Sequence, residues 1–203
     1  MIVVHGPPTE PRFALTYDDG PGAATAELLD LLAAHDVRAT FFMVGRQVES
    51  EPDLARRVAR HHEVGSHSHV HLDHETCESD RAVREMMQGA AAIEGAIGFE
   101  PRLYRAPYGH FTAATELAAD SRGWTCVMWS TLGYDWESLA TGQSVASKII
   151  EHLDPGAIVL LHDARREHAI DPAPMLGATE LLLVAAAERG LEPTTVGELI
   201  EGT

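Results

Sequence analysis

The chain has 203 residues, a formal net charge of −16 from 31 acidic against 15 basic side chains, and an apolar content ordinary for a globular protein. That length permits one sizeable core. The acidic balance argues against nucleic acid or an anionic membrane as the main partner, since both require a basic face. The two cysteines, Cys77 in a polar stretch and Cys126 in an apolar run, suggest neither a disulfide framework nor a cysteine-based metal centre.

No run approaches the length needed to cross a bilayer. The start, Met1-Ile2-Val3-Val4-His5-Gly6-Pro7, lacks a basic opening, a long apolar core and a small-residue cleavage site. The expectation is a cytoplasmic protein, or a secreted one if this is a mature form without its leader. With no linker, composition break or internal repeat, the chain reads as a single domain over 1–203.

Short apolar runs alternate with helical patterns along the chain. Phe13 to Tyr17 reads as a strand, and Ala24 to His35 as a helix with Leu28, Leu29, Leu31 and Leu32 on a broad apolar face. Val37 to Val44 is a second strand. Pro52 to His61 is a helix with Pro52 in its first turn. Glu63 to Ser66 is a strand, Ser79 to Ile97 a long helix ended near Gly98, Arg102 to Arg105 a strand and Thr112 to Ser121 a helix. Trp124 to Trp129 is a strand, and Ser144 to Leu153 a helix stopped by Asp154-Pro155-Gly156. Ala157 to Leu161 is a continuous apolar strand of the kind buried on both faces. Pro174 to Arg189 is a helix closed by Gly190. A short strand near Glu192 to Thr195 and a helical turn over Val196 to Ile200 end the pattern.

Strand–helix alternation repeated about seven times indicates a parallel α/β fold. Its titratable residues gather just past the strand ends: Asp18 and Asp19 after the first, His67 after the third, Arg105 at the fourth, Asp135 after the fifth and His162-Asp163 at the sixth. Polar residues at the carboxyl ends of many strands are the pattern of a (β/α) barrel, whereas an open doubly wound sheet concentrates its site at one switch point. There is no dinucleotide fingerprint and no phosphate loop.

Asp18 and Asp19 are adjacent carboxylates between an apolar run and Gly20-Pro21. Ionising both calls for a cation beside them. His67 and His71, in Gly65-Ser66-His67-Ser68-His69-Val70-His71, supply the matching donors. Four residues apart, they would share one face of a helical turn while His69 points elsewhere. One Asp and two His with an open position is the composition of a catalytic metal site. Taken singly, each segment has an ordinary structural reading too. Paired Asp at a strand end serves turns and helix caps, and six of twelve histidines between His61 and His74 can be compositional bias.

In this order the residues resemble the polysaccharide deacetylases, carbohydrate esterase family four, also called the nodulation-deacetylase homology domain. Five ordered motifs carry the likeness: Thr16-Tyr17-Asp18-Asp19-Gly20-Pro21, where Phe is commoner than Tyr17; His67-Ser68-His69-Val70-His71; Arg105-Ala106-Pro107-Tyr108-Gly109; Asp135-Trp136; and Leu161-His162-Asp163. They span about 13–200. The resemblance implies a distorted seven- or eight-stranded (β/α) barrel and metal-dependent hydrolysis of an acetyl group on a sugar. It implies Asp19, His67 and His71 as metal ligands, Asp18 as base, Arg105 as its partner, His162 as general acid and Asp135 as the residue orienting it. It further implies that Tyr108 lends a backbone N–H to the oxyanion, that Leu161 and Trp136 line the acetyl pocket, and that Pro107 belongs to the substrate-binding wall. The cofactor it implies is one divalent ion, zinc in the first place, with cobalt, nickel and manganese also suited to an Asp-His-His set.

One departure lies before Asp135, where some relatives carry a further acid and Ser130 to Tyr134 has none. The expected partner is a carbohydrate: an N-acetylated polysaccharide, oligosaccharide or small glycoside. The alternatives are an O-acetyl esterase on acetylated xylan or a similar polymer, and a catalytically silent metal-bearing carbohydrate-binding protein. The segment from Ala164 to Pro172 is long for a strand–helix link and begins beside His162. Its Arg165 and Arg166 suit an anionic group on the substrate, against the plainer reading of a solvated charged loop.

Overall fold

The computed structural model of the protein describes residues 2–164 and 171–201. Among them nine strands pair in parallel in one sheet: β1 Ile2–Val3, β2 Arg12–Asp18, β3 Thr40–Met43, β4 Glu63–Ser66, β5 Leu103–Tyr104, β6 Thr125–Val127, β7 Thr131–Leu132, β8 Ile158–His162 and β9 Glu192–Thr194. Eight follow the path β1-β6-β5-β4-β3-β2-β8-β7, and β9 pairs with the start of β2. The path curls into a half-barrel rather than closing. Its helices are α1 Thr25–Ala34, α2 Gly45–Ser50, α3 Pro52–Ala59, α4 Ser79–Ile97, α5 Ala113–Ser121, α6 Gly142–Glu151, α7 Ala173–Glu188 and α8 Val196–Glu201. The strand–helix alternation expected of a distorted (β/α) barrel is the observed architecture. No helix among the described residues is long and apolar enough to cross a membrane.

Strand alternation sorts the side chains. On β2, Phe13, Leu15 and Tyr17 join the large cluster between sheet and helices, with Leu28 and Leu32 of α1 and Leu182 and Ala186 of α7. Ala14 of β2 instead packs inside the barrel with Phe42, Val127 and Ile158, and by the same alternation Thr16 and Asp18 face inward. Register then pairs Asp18 directly with His162 of β8. Two inward residues at the carboxyl ends of neighbouring central strands are thereby brought side by side.

The elements differ from the expected bounds where a terminal N–H finds a partner outside the ladder. The strand expected over Val37–Val44 is Thr40–Met43, because the Val37 N–H closes the end of α1 on the Leu32 carbonyl at 3.0 Å. The Trp124 N–H likewise returns to Ala119 of α5 at 2.9 Å, leaving β6 to begin at Thr125. The helix α2 was not foreseen. It stops before Pro52, which lacks the N–H to continue it and starts α3 instead. Two-residue strands such as β1 and β7 are too short to show any periodicity.

Candidate active site

Four loops and strand ends meet at the carboxyl mouth of the half-barrel. Asp18 ends β2 and is buried. Its Oδ1 accepts from Arg105 Nη1 at 2.7 Å. Arg105 is fully buried, with its guanidinium 4.0 Å above the Phe42 ring. It also donates to Thr16 Oγ1 at 2.8 Å and to the Met128 carbonyl at 2.9 Å. Phe42 lies over Gly65, where any Cβ would collide with the ring. Burial pushes the Asp18 carboxyl up, and the Arg105 charge pulls it back.

Asp19 follows in the left-handed region, φ 77°. A non-glycine residue pays for that conformation, but it turns the Asp19 carboxylate toward the histidines. His71 Nε2 stands 3.2 Å and His67 Nε2 3.6 Å from Asp19 Oδ1. The His67 Nδ1–H donates to the Arg105 carbonyl at 2.7 Å, a bond that assigns the tautomer and leaves the Nε2 lone pair facing Asp18 Oδ2 at 3.6 Å and Asp19. Burial lowers His67 to about 3, so the ring is neutral. Neutral, and with its proton committed elsewhere, it cannot donate to either carboxylate. Ligand atoms of Asp19, His67 and His71 converge here, all within 4.8 Å of one another. That donor set fits a divalent cation of borderline softness, and among the described residues it is the one His/Cys/Asp/Glu group of this kind. His69 is not in it; its Nδ1 lies against Gly45.

The histidines do not meet on a helical turn, as the spacing of four suggested. The segment after β4 is irregular, and left-handed residues at Ser68 (φ 69°) and His71 (φ 55°) fold it back on itself. The same loop is tied to the next by Asp73 Oδ1 and His110 Nδ1 at 2.9 Å. Between them Tyr108, φ 59° and well exposed, sets its ring edge-on to His71 with centroids 4.7 Å apart. Pro107 is buried at the start of that 3-10 turn.

On the other side, His162 Nδ1–H donates to Asp135 Oδ1 at 3.0 Å, and the His162 backbone N–H donates to Asp135 Oδ2 at 2.8 Å. Burial works against a charged His162 ring. Asp135, aided by Asp19 and Asp18, outweighs it and raises the ring to about 9. Trp136 stands edge-on to His162, centroids 5.0 Å apart. Asp163 is buried and, through burial with Asp19 and Asp18 adding to it, pushed up to about 7.

One expected wall residue is elsewhere. Leu161 is buried on the helix side of β8 with Phe13 and Leu15. Alternation puts Leu160, not Leu161, on the face of His162. The correction follows from the two-residue period of a strand, which the motif by itself does not register. Arg165 and Arg166 lie outside the described residues. Sequence reasoning also passed over Thr16 and Thr25, because a threonine in a strand or at a helix start carries no chemical signal until its partner is known.

The polysaccharide deacetylase family model matches residues 5–127. The chain is 40% identical over 152 residues to a chitooligosaccharide deacetylase of Bradyrhizobium sp. (strain ANU 289), covering 73% of this chain and 69% of that one. It is 31% identical over 198 residues to a peptidoglycan-N-acetylglucosamine deacetylase of Bacillus cereus, covering 96% and 90%. Among solved structures, a peptidoglycan N-acetylglucosamine deacetylase in complex with 4-naphthalen-1-yl-N-oxidanyl-benzamide superposes with a TM-score of 0.92 at 24% identity, over 100% of this chain and 94% of that one, a likeness of fold. The family model reaches the Asp-Asp, His-x-x-x-His and Arg-x-Pro-Tyr segments, and the Bacillus relative extends the match across Asp135 and His162. On these sequence matches the chain belongs to the polysaccharide deacetylase family.

Proposed function

We propose that the protein is a metal-dependent de-N-acetylase acting on an N-acetylated sugar, with a chain of N-acetylglucosamine units as the leading substrate. The observation that carries this is the convergence of Asp19, His67 and His71 beside a buried carboxylate, Asp18, whose Oδ1 is held by Arg105. The relatives named for chitooligosaccharide and peptidoglycan deacetylation support the substrate class.

Asp19, His67 and His71 would hold one divalent ion, zinc in the first place, which when bound polarises the acetyl carbonyl and lowers the pKa of water. Asp18 is the base. Arg105 fixes its Oδ1, so Oδ2 is the atom that takes the proton from the attacking water. The Tyr108 backbone N–H is the donor to the carbonyl oxygen as charge builds there. His162 is the acid: Asp135 occupies Nδ1, so Nε2 delivers the proton to the departing amine. Leu160, Trp136 and Pro107 exclude water around the acetyl methyl.

A protonated His162 favours an amide over an ester, because an amine departs poorly unless protonated while an alcohol needs less help. The contacts Arg105–Asp18 and Asp135–His162 are complete, which speaks against a silent binding protein. The test is acetate release by metal-reconstituted protein from N-acetylglucosamine oligomers, acetylated xylan, sugar nucleotides and small N-acetyl glycosides, with chelated protein as control. Acetate from the oligomers only with metal is the expected result. Cleavage of acetylated xylan alone would replace the proposal with an O-acetyl esterase, and no release from any substrate would leave a binding protein.

A further inference from the structure

Asp163 is a buried carboxylate that none of the roles above uses. The Thr25 hydroxyl, itself fully buried, donates to its Oδ2 at 2.5 Å and accepts from the Gly22 N–H at 2.8 Å. The Asp163 N–H donates to the Asp18 carbonyl at 3.2 Å. Its Oδ1 is buried with no hydrogen-bond partner among the described residues. Gly20 packs so closely on this carboxylate that a Cβ there would fall on its oxygens, and a Cβ at Gly22 would strike Ala164. The Gly20 carbonyl is held in turn by the Val44 N–H at 2.9 Å. A buried oxygen left unpaired costs stability, and so does the left-handed Asp19 within the same turn. Both costs fall at the turn that carries the base and a metal ligand.

We propose that Asp163 and Thr25 are positioning residues that clamp the turn from Asp18 to Gly22 onto the end of β8, holding Asp18 and Asp19 toward His67 and His71. The inference rests on the reading of that cluster as a metal-dependent active site. The clamp also couples the base to the acid, because Asp163 directly follows His162. It acts on geometry through the backbone; neither residue touches the substrate.

The test uses Thr25→Val, Thr25→Ser and Asp163→Ala in the full chain. Zinc affinity is measured by competition with a chromophoric chelator, kcat and KM by acetate release, and folding by melting temperature. Thr25→Val keeps the shape but removes the hydroxyl. It should weaken zinc binding and lower kcat by about 10-fold or more, the scale of lost outer-shell partners, with KM little changed. Thr25→Ser, which restores the hydroxyl, should return both to within about twofold of the parent, well inside that loss. Wild-type zinc affinity and kcat in Thr25→Val, with only an earlier melt, would overturn the inference. If Asp163→Ala does not fold, the Thr25 pair decides alone. If the unsubstituted protein releases no acetate, the deacetylase reading fails separately, and the zinc titration still decides this one.

Discussion

Arg105 offers the sharpest test of the energetics at the site. It is fully buried, bonded to Asp18 at 2.7 Å, and shares the interior with Phe42 beneath it. Arg105→Met would keep much of the volume and strand Asp18 as a charge in the core. Breaking one side of a buried ion pair costs about 3–5 kcal/mol. For a chain of this size each kcal/mol moves the melting temperature by roughly 2–4 °C, so a fall of about 6–20 °C follows. The assay is denaturant unfolding of metal-free protein in chelator, since a bound cation would itself partner Asp18. Burial already raises Asp18, and the substitution removes Arg105, the largest of the charges that pull it back. Asp18 then takes a proton more readily, so the loss at pH 8 should exceed the loss at pH 5. Adding Asp18→Asn to Arg105→Met should recover most of the stability, because it removes the stranded charge. A loss below about 1 kcal/mol, far under the buried-pair scale, or one that ignores pH and the second substitution would refute the argument.

Other outcomes follow from the same geometry. His71→Ala should sharply lower metal content by elemental analysis, whereas His69→Ala, outside the converging set, should leave it near wild type. His162→Ala should reduce amide hydrolysis by roughly two or more orders of magnitude, the scale of general acid–base catalysis, and harm an activated aryl acetate much less; equal losses would remove His162 as the acid. Burial, with His61 and Arg38, lowers His62 to about 4 against an ordinary 6.5. The unfolded chain therefore binds the extra proton first, and stability should fall as pH drops from about 6.5 toward 4. His62→Asn, keeping an acceptor for the Ala39 N–H, should flatten that slope in urea titrations. Arg165→Ala with Arg166→Ala, assayed on neutral and anionic N-acetyl sugars, should weaken only the anionic one; matched small changes would assign these two arginines no role in selectivity.

Much of this protein is legible without coordinates where one local pattern suffices. The apolar runs of β2 and β8 and the 19-residue helix α4 ending at a left-handed Gly98 announce themselves by composition, length and cap. The order of the acidic, histidine and arginine segments resembles that of the family's motifs, and their place beside strand ends points to a barrel. What the chain alone leaves open is everything decided by register and by long-range pairing. The facing of Asp18 and His162 comes from the parallel register of β2 and β8, 144 residues apart in sequence. The alternation that turns Leu160 inward and Leu161 outward depends on which face the helices cover. His67 and His71 meet through left-handed turns, a backbone choice that the spacing of four misread as helix. Thr25 and Asp163 become a clamp only when the barrel brings the start of α1 under the end of β8. Local sequence sets which groups are available and where strands begin. Only the pairing of distant strands, driven by burying both faces of the central sheet, decides which of those groups share one site.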